Sequence, residues 1–284
     1  MSVSIAGLGM VLGASPLNVV DDAGVEWRVT TLDGWGGPTV RAAGGDRPGD
    51  HGYYQGISHY GARNLTLTGS LIGPTSGAVE RAWDVLCSAV GLTDAPFQVN
   101  EIIAKYLLVR QSGEPKAVWL SDTVLEWQLG LQATDPRKYS VGLNAAMMSL
   151  ADPNSATGVV YPRVYPGTNW GTAPRAWHIL AVNAGNFESR PLVVFTGSCV
   201  NPAAVNLTTG NIVQLGLTIS SGSWCTVDTD DRTVLLEGTA SRRYALSRNS
   251  SWWVLQPGIN EIGFYADAFS SDAQLSVLWR SAWV

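Results

Sequence analysis

Leu125-Glu-Trp-Gln-Leu-Gly-Leu-Gln132 sets Leu125, Trp127, Leu129 and Leu131 at alternate positions, with Glu126, Gln128, Gly130 and Gln132 between them. Successive strand side chains point to opposite faces, so this stretch predicts a β-strand with one buried apolar face and one wetted polar face. The alternation recurs in Leu65, Leu67 and Leu71 against Asn64, Thr66, Thr68 and Ser70. It returns in Val213, Leu215, Leu217 and Ile219 against Gln214, Gly216, Thr218 and Ser220, and in Leu275, Val277 and Trp279 against Gln274, Ser276 and Arg280. Antiparallel sheets covered on one face carry this pattern. One stretch departs from it: Val79, Ala82, Trp83, Leu86 and Val90 recur at three- and four-residue steps. That predicts a helix over about Ser76 to Val90, started by Pro74-Thr75 and stopped at Gly91. Residues 92–134 return to extended structure, with Gln111-Ser-Gly-Glu-Pro115 expected as a turn joining two hairpin strands.

Around these elements the composition is apolar, turn-rich and poor in charge. The 284 residues are 45% hydrophobic and 14% charged, with 31 Gly and 12 Trp. A sizeable core can be buried and intrinsic disorder is excluded. Residues 1–150 hold ten basic and fourteen acidic side chains, and residues 151–284 hold eight and nine, for a net charge of −5. Neither half has the basic excess of a sequence-specific nucleic-acid binder. No stretch approaches the ~18 continuous apolar residues of a membrane span, and Met1-Ser-Val-Ser-Ile-Ala-Gly lacks the basic start of a signal peptide. The expectation is a soluble protein made in a cytoplasm. Cys87, Cys199 and Cys225 form no CxxC pair; a reducing site of folding is the simpler reading, with a Cys199–Cys225 bridge left open. Pro153, Pro162, Pro166 and Pro174 with Gly158, Gly167 and Gly171 mark residues 151–176 as a linker or arm. Domains are therefore expected at 1–150 and 177–284, the second a β-sandwich.

Candidate chemistry is sparse. Arg47-Pro-Gly-Asp-His-Gly52 sets a carboxylate beside an imidazole, yet adjacent side chains of an extended segment diverge, so a braced turn is the better reading. Asp228, Asp230 and Asp231 resemble a cation loop only in their charge; they lack its glycine and its terminal Glu, and a hairpin turn accounts for them. Gly7-Leu-Gly-Met-Val-Leu-Gly13 has the wrong spacing for a dinucleotide loop, and His51, His59 and His178 show no metal-ligand spacing. No paired carboxylates can be given acid and nucleophile roles, so no catalytic residue, cofactor or metal is expected. Trp252 and Trp253, with Arg190, Arg242, Arg243 and Arg248, form a candidate glycan-stacking surface; the alternative is that one tryptophan packs inward and the other meets an interface.

Several blocks, in their order, resemble the distal tail proteins, or siphovirus-type minor tail components, of long-tailed phages of actinobacteria. In the first half these are Leu32-Asp-Gly-Trp-Gly-Gly-Pro38, Arg41, Asp46-Arg-Pro-Gly-Asp-His-Gly52, Tyr60-Gly-Ala-Arg-Asn-Leu-Thr-Leu-Thr-Gly69 and Asp135-Pro-Arg-Lys-Tyr139. In the second they are Val200-Asn-Pro202, Asn206-Leu-Thr-Thr-Gly210, Val227-Asp-Thr-Asp230, Thr233-Val-Leu-Leu-Glu-Gly238, Trp252-Trp253, Pro257-Gly-Ile-Asn260 and Trp279-Arg-Ser-Ala-Trp283. The resemblance implies a mainly β protein: an N-terminal β-barrel or sandwich belt domain with one helix, then a C-terminal galectin-like β-sandwich. It further implies a virion protein, a homo-hexameric ring at the distal end of the tail tube, partnered by tube, tail-tip or baseplate hub and receptor-binding or fibre proteins. Host-glycan binding by the sandwich is the alternative. A closed ring needs two different adhesive surfaces on each subunit, and buried aromatic and Arg anchors dominate such contacts. Trp35, Arg41, Arg47, Asp50 and Arg63 are the candidate interface residues, with bracing of the domain's own fold as the competing reading.

Overall fold

The computed structural model describes residues 8–150 and 178–284, and they fall in two compact units, one within residues 1–141 together with Val284 and one within 142–283. The segment 151–176 lies outside the described residues. In the first unit the strands are β1 Met10–Leu12, β2 Ser15–Leu17, β3 Val19–Val20, β4 Glu26–Asp33, β5 Val40–Asp46, β6 Tyr53–Tyr60, β7 Arg63–Ile72, β8 Ala95–Val99, β9 Lys105–Gln111, β10 Lys116–Ser121, β11 Val124–Ala133 and β12 Lys138–Ser140, with helix α1 at Ser76–Ser88.

The two strongest alternating stretches pair with each other. Antiparallel β7 and β11 match Leu65 to Leu131, Leu67 to Leu129 and Leu71 to Leu125, so the apolar residues form rows on one face. All six are nearly devoid of solvent contact, and each such burial is worth roughly 1.5–3 kcal/mol. Trp127 lies opposite Gly69, and a Cβ on that glycine would stand 2.5 Å from the indole and 2.2 Å from the Arg28 carbonyl. The glycine is therefore the gap into which the ring folds.

Helix α1 matches its expected span to within two residues. Thr75 caps it, its hydroxyl accepting from the Ala78 amide, and Ala78, Val79, Ala82 and Leu86 are buried against the sheet. Sheet order runs β2-β1-β8-β9-β11-β7-β4-β3. Its ends, β2 and β3, are separated only by Asn18, which adopts a positive φ of 61°, and they do not pair with each other. The expected barrel therefore does not close, and a rolled, open sheet with the helix surrounds the core. The expected hairpin at 111–115 is also replaced. Strands β9 and β10 lie end to end along β11, which pairs with β10 through Val124–Gln128 and with β9 at Leu131 and Gln132.

The second unit starts before the boundary expected from composition. Its strands are β13 Asn144–Ser149, β14 His178–Asn183, β15 Leu192–Thr196, β16 Cys199–Val200, β17 Ala203–Asn206, β18 Asn211–Gln214, β19 Thr218–Ile219, β20 Trp224–Asp228, β21 Thr233–Leu236, β22 Ala240–Ser241, β23 Gly258–Tyr265, β24 Ala268–Phe269 and β25 Gln274–Trp279. Strand β13 pairs along its whole length with β25, which places residues 144–149 in this unit. A six-stranded sheet, β13-β25-β15-β20-β21-β22, and a four-stranded sheet, β14-β23-β17-β18, share one core. Phe195 of the first and Phe264 of the second meet at 5.9 Å between ring centroids. The single strand expected over 213–219 is split into β18 and β19, because Leu215 bridges to Leu246 between them; Val213, Leu215 and Ile219 still face the core.

Three buried asparagines fix the loops of this sandwich. Asn183 donates to the Phe187 and Leu255 carbonyls and accepts from the Gly185 and Ala282 amides. Asn206 donates to the Val254 carbonyl and accepts from the Thr208 and Thr209 amides, and Asn260 does the same work across Gln256 and Gly258. A buried amide is tolerated only when so satisfied, which gives a physical reason for Asn206-Leu-Thr-Thr-Gly210 and Pro257-Gly-Ile-Asn260. Cys199 and Cys225 are buried free thiols; burial pushes each up to about 11.

Candidate assembly surface

Among the described residues, strands β5 and β6 form a two-stranded sheet of their own, with no ladder to the rest of the first unit. All fifteen of their residues are exposed, and so is the connecting turn Arg47–Gly52. The exposed side chains include Val40 at 61%, Tyr54 at 61% and Ile57 at 77%, with Tyr53 and Tyr60. An isolated two-stranded hairpin is at best marginally stable in water, and eight residues at ~3.3 Å each carry it ~26 Å from its base. An arm of this length with apolar side chains on a well-packed unit is built to be covered.

The hairpin brings together three of the residues expected at an interface. Arg41 sits on β5, the Arg47 guanidinium lies 5.1 Å from the centre of the Tyr54 ring, and Asp50 accepts the His51 amide in the tip turn. The Asp50-His51 pair is thus a turn device, with its carboxylate on a backbone amide.

Trp35 and Arg63 stand elsewhere, and here the interface expectation is corrected. Arg63 has no exposed surface; its guanidinium donates to the carbonyls of Gly34 at 3.1 Å, Trp35 at 2.7 Å and Pro136 at 3.0 Å. Trp35 is 2% exposed, with its indole on Glu101 and its ring edge-on to Phe97. Lys138, 6% exposed, donates to the same Trp35 carbonyl and lies 5.2 Å from the centre of the Trp35 ring. Asp135 accepts the Arg137 amide and the Tyr139 hydroxyl. Blocks around residues 34, 63 and 135–139, remote in sequence, thus converge on one interior latch. Burial draws Arg63 down to about 10, and burial reinforced by the Arg63 and Lys105 charges draws Lys138 down to about 8. Glu101 is raised by burial, but hydrogen bonds from Lys105 and Trp35 and the nearby cations outweigh this and leave it below the ordinary carboxylate range.

A second exposed element was not foreseen. All six residues of β10 are exposed, among them Val118 at 59%, Trp119 at 44% and Leu120 at 59%, and among the described residues the strand pairs on one side only, with β11. The signal available in the sequence was the run Ala117-Val-Trp-Leu120, apolar without alternation, where a half-buried strand would alternate.

In the second unit, Trp253 is 2% exposed and belongs to the core, whereas Trp252 is half-buried against it with Arg243 5.8 Å from its ring centre. The two rings present no joint stacking surface. Asp228 accepts the amides of Asp230 and Asp231, and Asp230 pairs with Arg190, so the acidic run is a hairpin turn.

Residues 184–283 match the family of the siphovirus-type tail component, C-terminal domain. Comparison with curated proteins finds no sequence match. Among solved structures, the chain is similar to the crystal structure of the Dit protein of phage SPP1, described as a paradigm of hub adsorption apparatus in Gram-positive infecting phages. The TM-score is 0.69 at 12% identity, over 98% of this chain and 99% of that one. It is also similar to a chain of the phage P2 baseplate in its activated conformation, with a TM-score of 0.51 at 9% identity over 95% and 97% of the two chains. The family match thus covers the C-terminal domain, and the likeness to the solved structures is one of fold. The fold of the chain is similar to that of the SPP1 Dit protein over nearly its whole length.

Proposed function

We propose that this protein is a structural component that forms a homo-hexameric ring at the distal end of the tail tube and joins the tube to the tail-tip or baseplate and its receptor-binding or fibre proteins. The role is one of assembly, with no catalytic step. The observation that carries the reading is the β5–β6 hairpin, an exposed apolar arm on a rigid sheet. Ring contacts repeat heterologously, one surface of each subunit meeting a different surface of the next, and a projecting arm supplies one of the two. The solvent face of β4, β7 and β11 suits a channel wall for DNA. It presents Thr30, Asn64, Thr66, Thr68, Gln128 and Gln132 with Asp33 and Glu126, and its Arg28 is paired with Glu26, so it offers phosphates little purchase. The galectin-like sandwich would project from the ring toward the tip proteins. Host-glycan binding through Trp252 and Trp253 is disfavoured by the burial of Trp253.

The test is sedimentation velocity and negative-stain imaging of the full chain, alone and co-expressed with the tube protein. Rings are expected, and a Tyr53→Ser/Tyr54→Ser/Ile57→Ser variant should stay folded by circular dichroism while losing them. A wild-type chain that stays monomeric under every condition, or a triple variant that still forms rings, would overturn the proposal.

A further inference from the structure

We infer that the surface formed by Arg243, Tyr244, Arg248 and Trp252 in the second unit is a docking site for a short acidic segment of another protein chain. This contact rests on the reading of the sandwich as the part that meets other tail proteins, and gives that meeting a chemistry. Residues 178–283 hold eight carboxylates and six arginines. Three of those arginines, Arg242, Arg243 and Arg248, fall within seven residues, and residues 238–260 contain no Asp or Glu. The stretch is therefore a basic surface on an otherwise acidic unit. Arg190 is paired with Asp230, whereas among the described residues no ion pair neutralises Arg243 or Arg248.

The backbone gathers these side chains and holds them. The Arg242 amide donates to the Val234 carbonyl at 2.8 Å, a single 3₁₀ turn follows at Arg243–Ala245, and the Ser247 and Ser251 amides donate to the Gln214 and Ile212 carbonyls at 2.9 and 2.8 Å. Those two carbonyls lie two residues apart on β18, about 7 Å, so the turn that carries Arg248, closed by the Ser250 amide on the Ser247 carbonyl, stands next to Trp252. Trp252 in turn lies beneath Arg243, whose guanidinium is 5.8 Å from the ring centre. Arg243 and Arg248 are exposed, and Tyr244 is 82% exposed. Trp, Tyr and Arg are the side chains enriched at the energetic centres of protein contacts, and the planar guanidinium matches a carboxylate bidentately. Because the stretch is already fixed, little ordering opposes binding. Two observations select a short protein segment over a glycan or a long polyanion. The Trp252 face on which a sugar ring would stack carries the Arg243 guanidinium. Beyond the basic stretch, the exposed Asp231 and Glu237 flank β21, the strand to which Arg242 is bonded, and would repel an anionic chain that ran on past it.

The test is the fluorescence anisotropy of a fluorescein-labelled hexaglutamate peptide titrated with the full chain at about 50 mM salt, where screening is weak. Saturable binding is expected, weakened roughly tenfold or more in Arg243→Glu/Arg248→Glu, since each exchange turns an attraction into a repulsion. Arg81→Glu, the same change on the exposed side of α1, should leave it unaltered, and circular dichroism checks that both variants are folded. Absence of binding to the wild type, or binding that survives the double reversal, would overturn the assignment. Tighter binding of hexagalacturonate, a glycan with the same number of carboxylates, would move the site from protein to sugar and overturn it as well. Imaging of the same samples separates this contact from the ring: rings are expected in wild type and double variant alike. A double variant that is folded but forms no rings would place the surface in the ring contact and overturn the assignment, whereas a wild type that forms none while binding the peptide would overturn the ring reading alone.

Discussion

Replacing Arg63 with alanine separates an interior brace from an interface anchor. In the folded unit the guanidinium serves the carbonyls of Gly34, Trp35 and Pro136, and the Trp35 carbonyl also receives Lys138. Arg63→Ala therefore leaves two carbonyls without their donor and a third with one donor instead of two. An orphaned buried acceptor costs about 1–3 kcal/mol, which gives roughly 2–6 kcal/mol for the pair before the cavity is counted. Against this stands relief: the guanidinium is held below its ordinary pKa by burial, its Nη2 has no hydrogen-bond partner among the described residues, and Lys138 repels it. The net loss expected is about 3 kcal/mol, a large part of a domain's ~5–15 kcal/mol. Urea unfolding followed by tryptophan fluorescence reads it, since Trp35 lies against the lost group. Arg63→Lys should fall between, because one ammonium cannot span three carbonyls in the planar fork that arginine supplies. Sedimentation of the fraction that remains folded should show assembly unchanged. An Arg63→Ala protein with wild-type unfolding and lost assembly would refute the reasoning and return this residue to the subunit surface.

Two further outcomes follow from the first unit. Folded Lys138 releases its proton near pH 8, whereas the unfolded side chain holds it to about 10.5; between those values the unfolded state binds more protons, so stability from this residue should rise with pH, by up to roughly 3 kcal/mol. Cys199, Cys225 and Tyr139, all raised, act in the opposite sense at alkaline pH, so the quantity to measure is the urea stability of wild type minus Lys138→Met at pH 7, 8 and 9, and a flat difference would contradict the assignment. Gly69→Ala should destabilise by roughly 3 kcal/mol or more, because its Cβ would overlap both the Trp127 indole and the Arg28 carbonyl; thermal unfolding within a degree or two of wild type would show that the ring can give way.

What was legible in the sequence was what local periodicity encodes. The rows Leu65-Leu67-Leu71 and Leu125-Trp127-Leu129-Leu131, the helix with Val79, Ala82 and Leu86 inward, and the core face of β25 follow from side-chain alternation or its helical counterpart. Less legible was anything set by partners distant along the chain. The turn at 111–115 has hairpin composition, yet β9 and β10 both lie along β11. Residues 144–149 precede the proline-rich stretch and so read as first-domain sequence, but their partner is β25, more than a hundred residues on. Arg and Trp are preferred both at interfaces and as satisfied interior braces, and local sequence does not distinguish the two for Trp35 and Arg63.

The sequence by itself therefore determined a mainly β chain with one helix, the faces its strands bury, and blocks resembling a siphovirus-type tail component. Tertiary structure alone decided that Trp35, Arg63 and Lys138 form one buried latch, that Trp253 is core and Trp252 half-covered, and that the apolar side chains of β5, β6 and β10 stand exposed. The physical reason is that a side chain's period fixes which way it points from its own strand. Whether anything stands there to cover it depends on which other strand the sheet brings alongside.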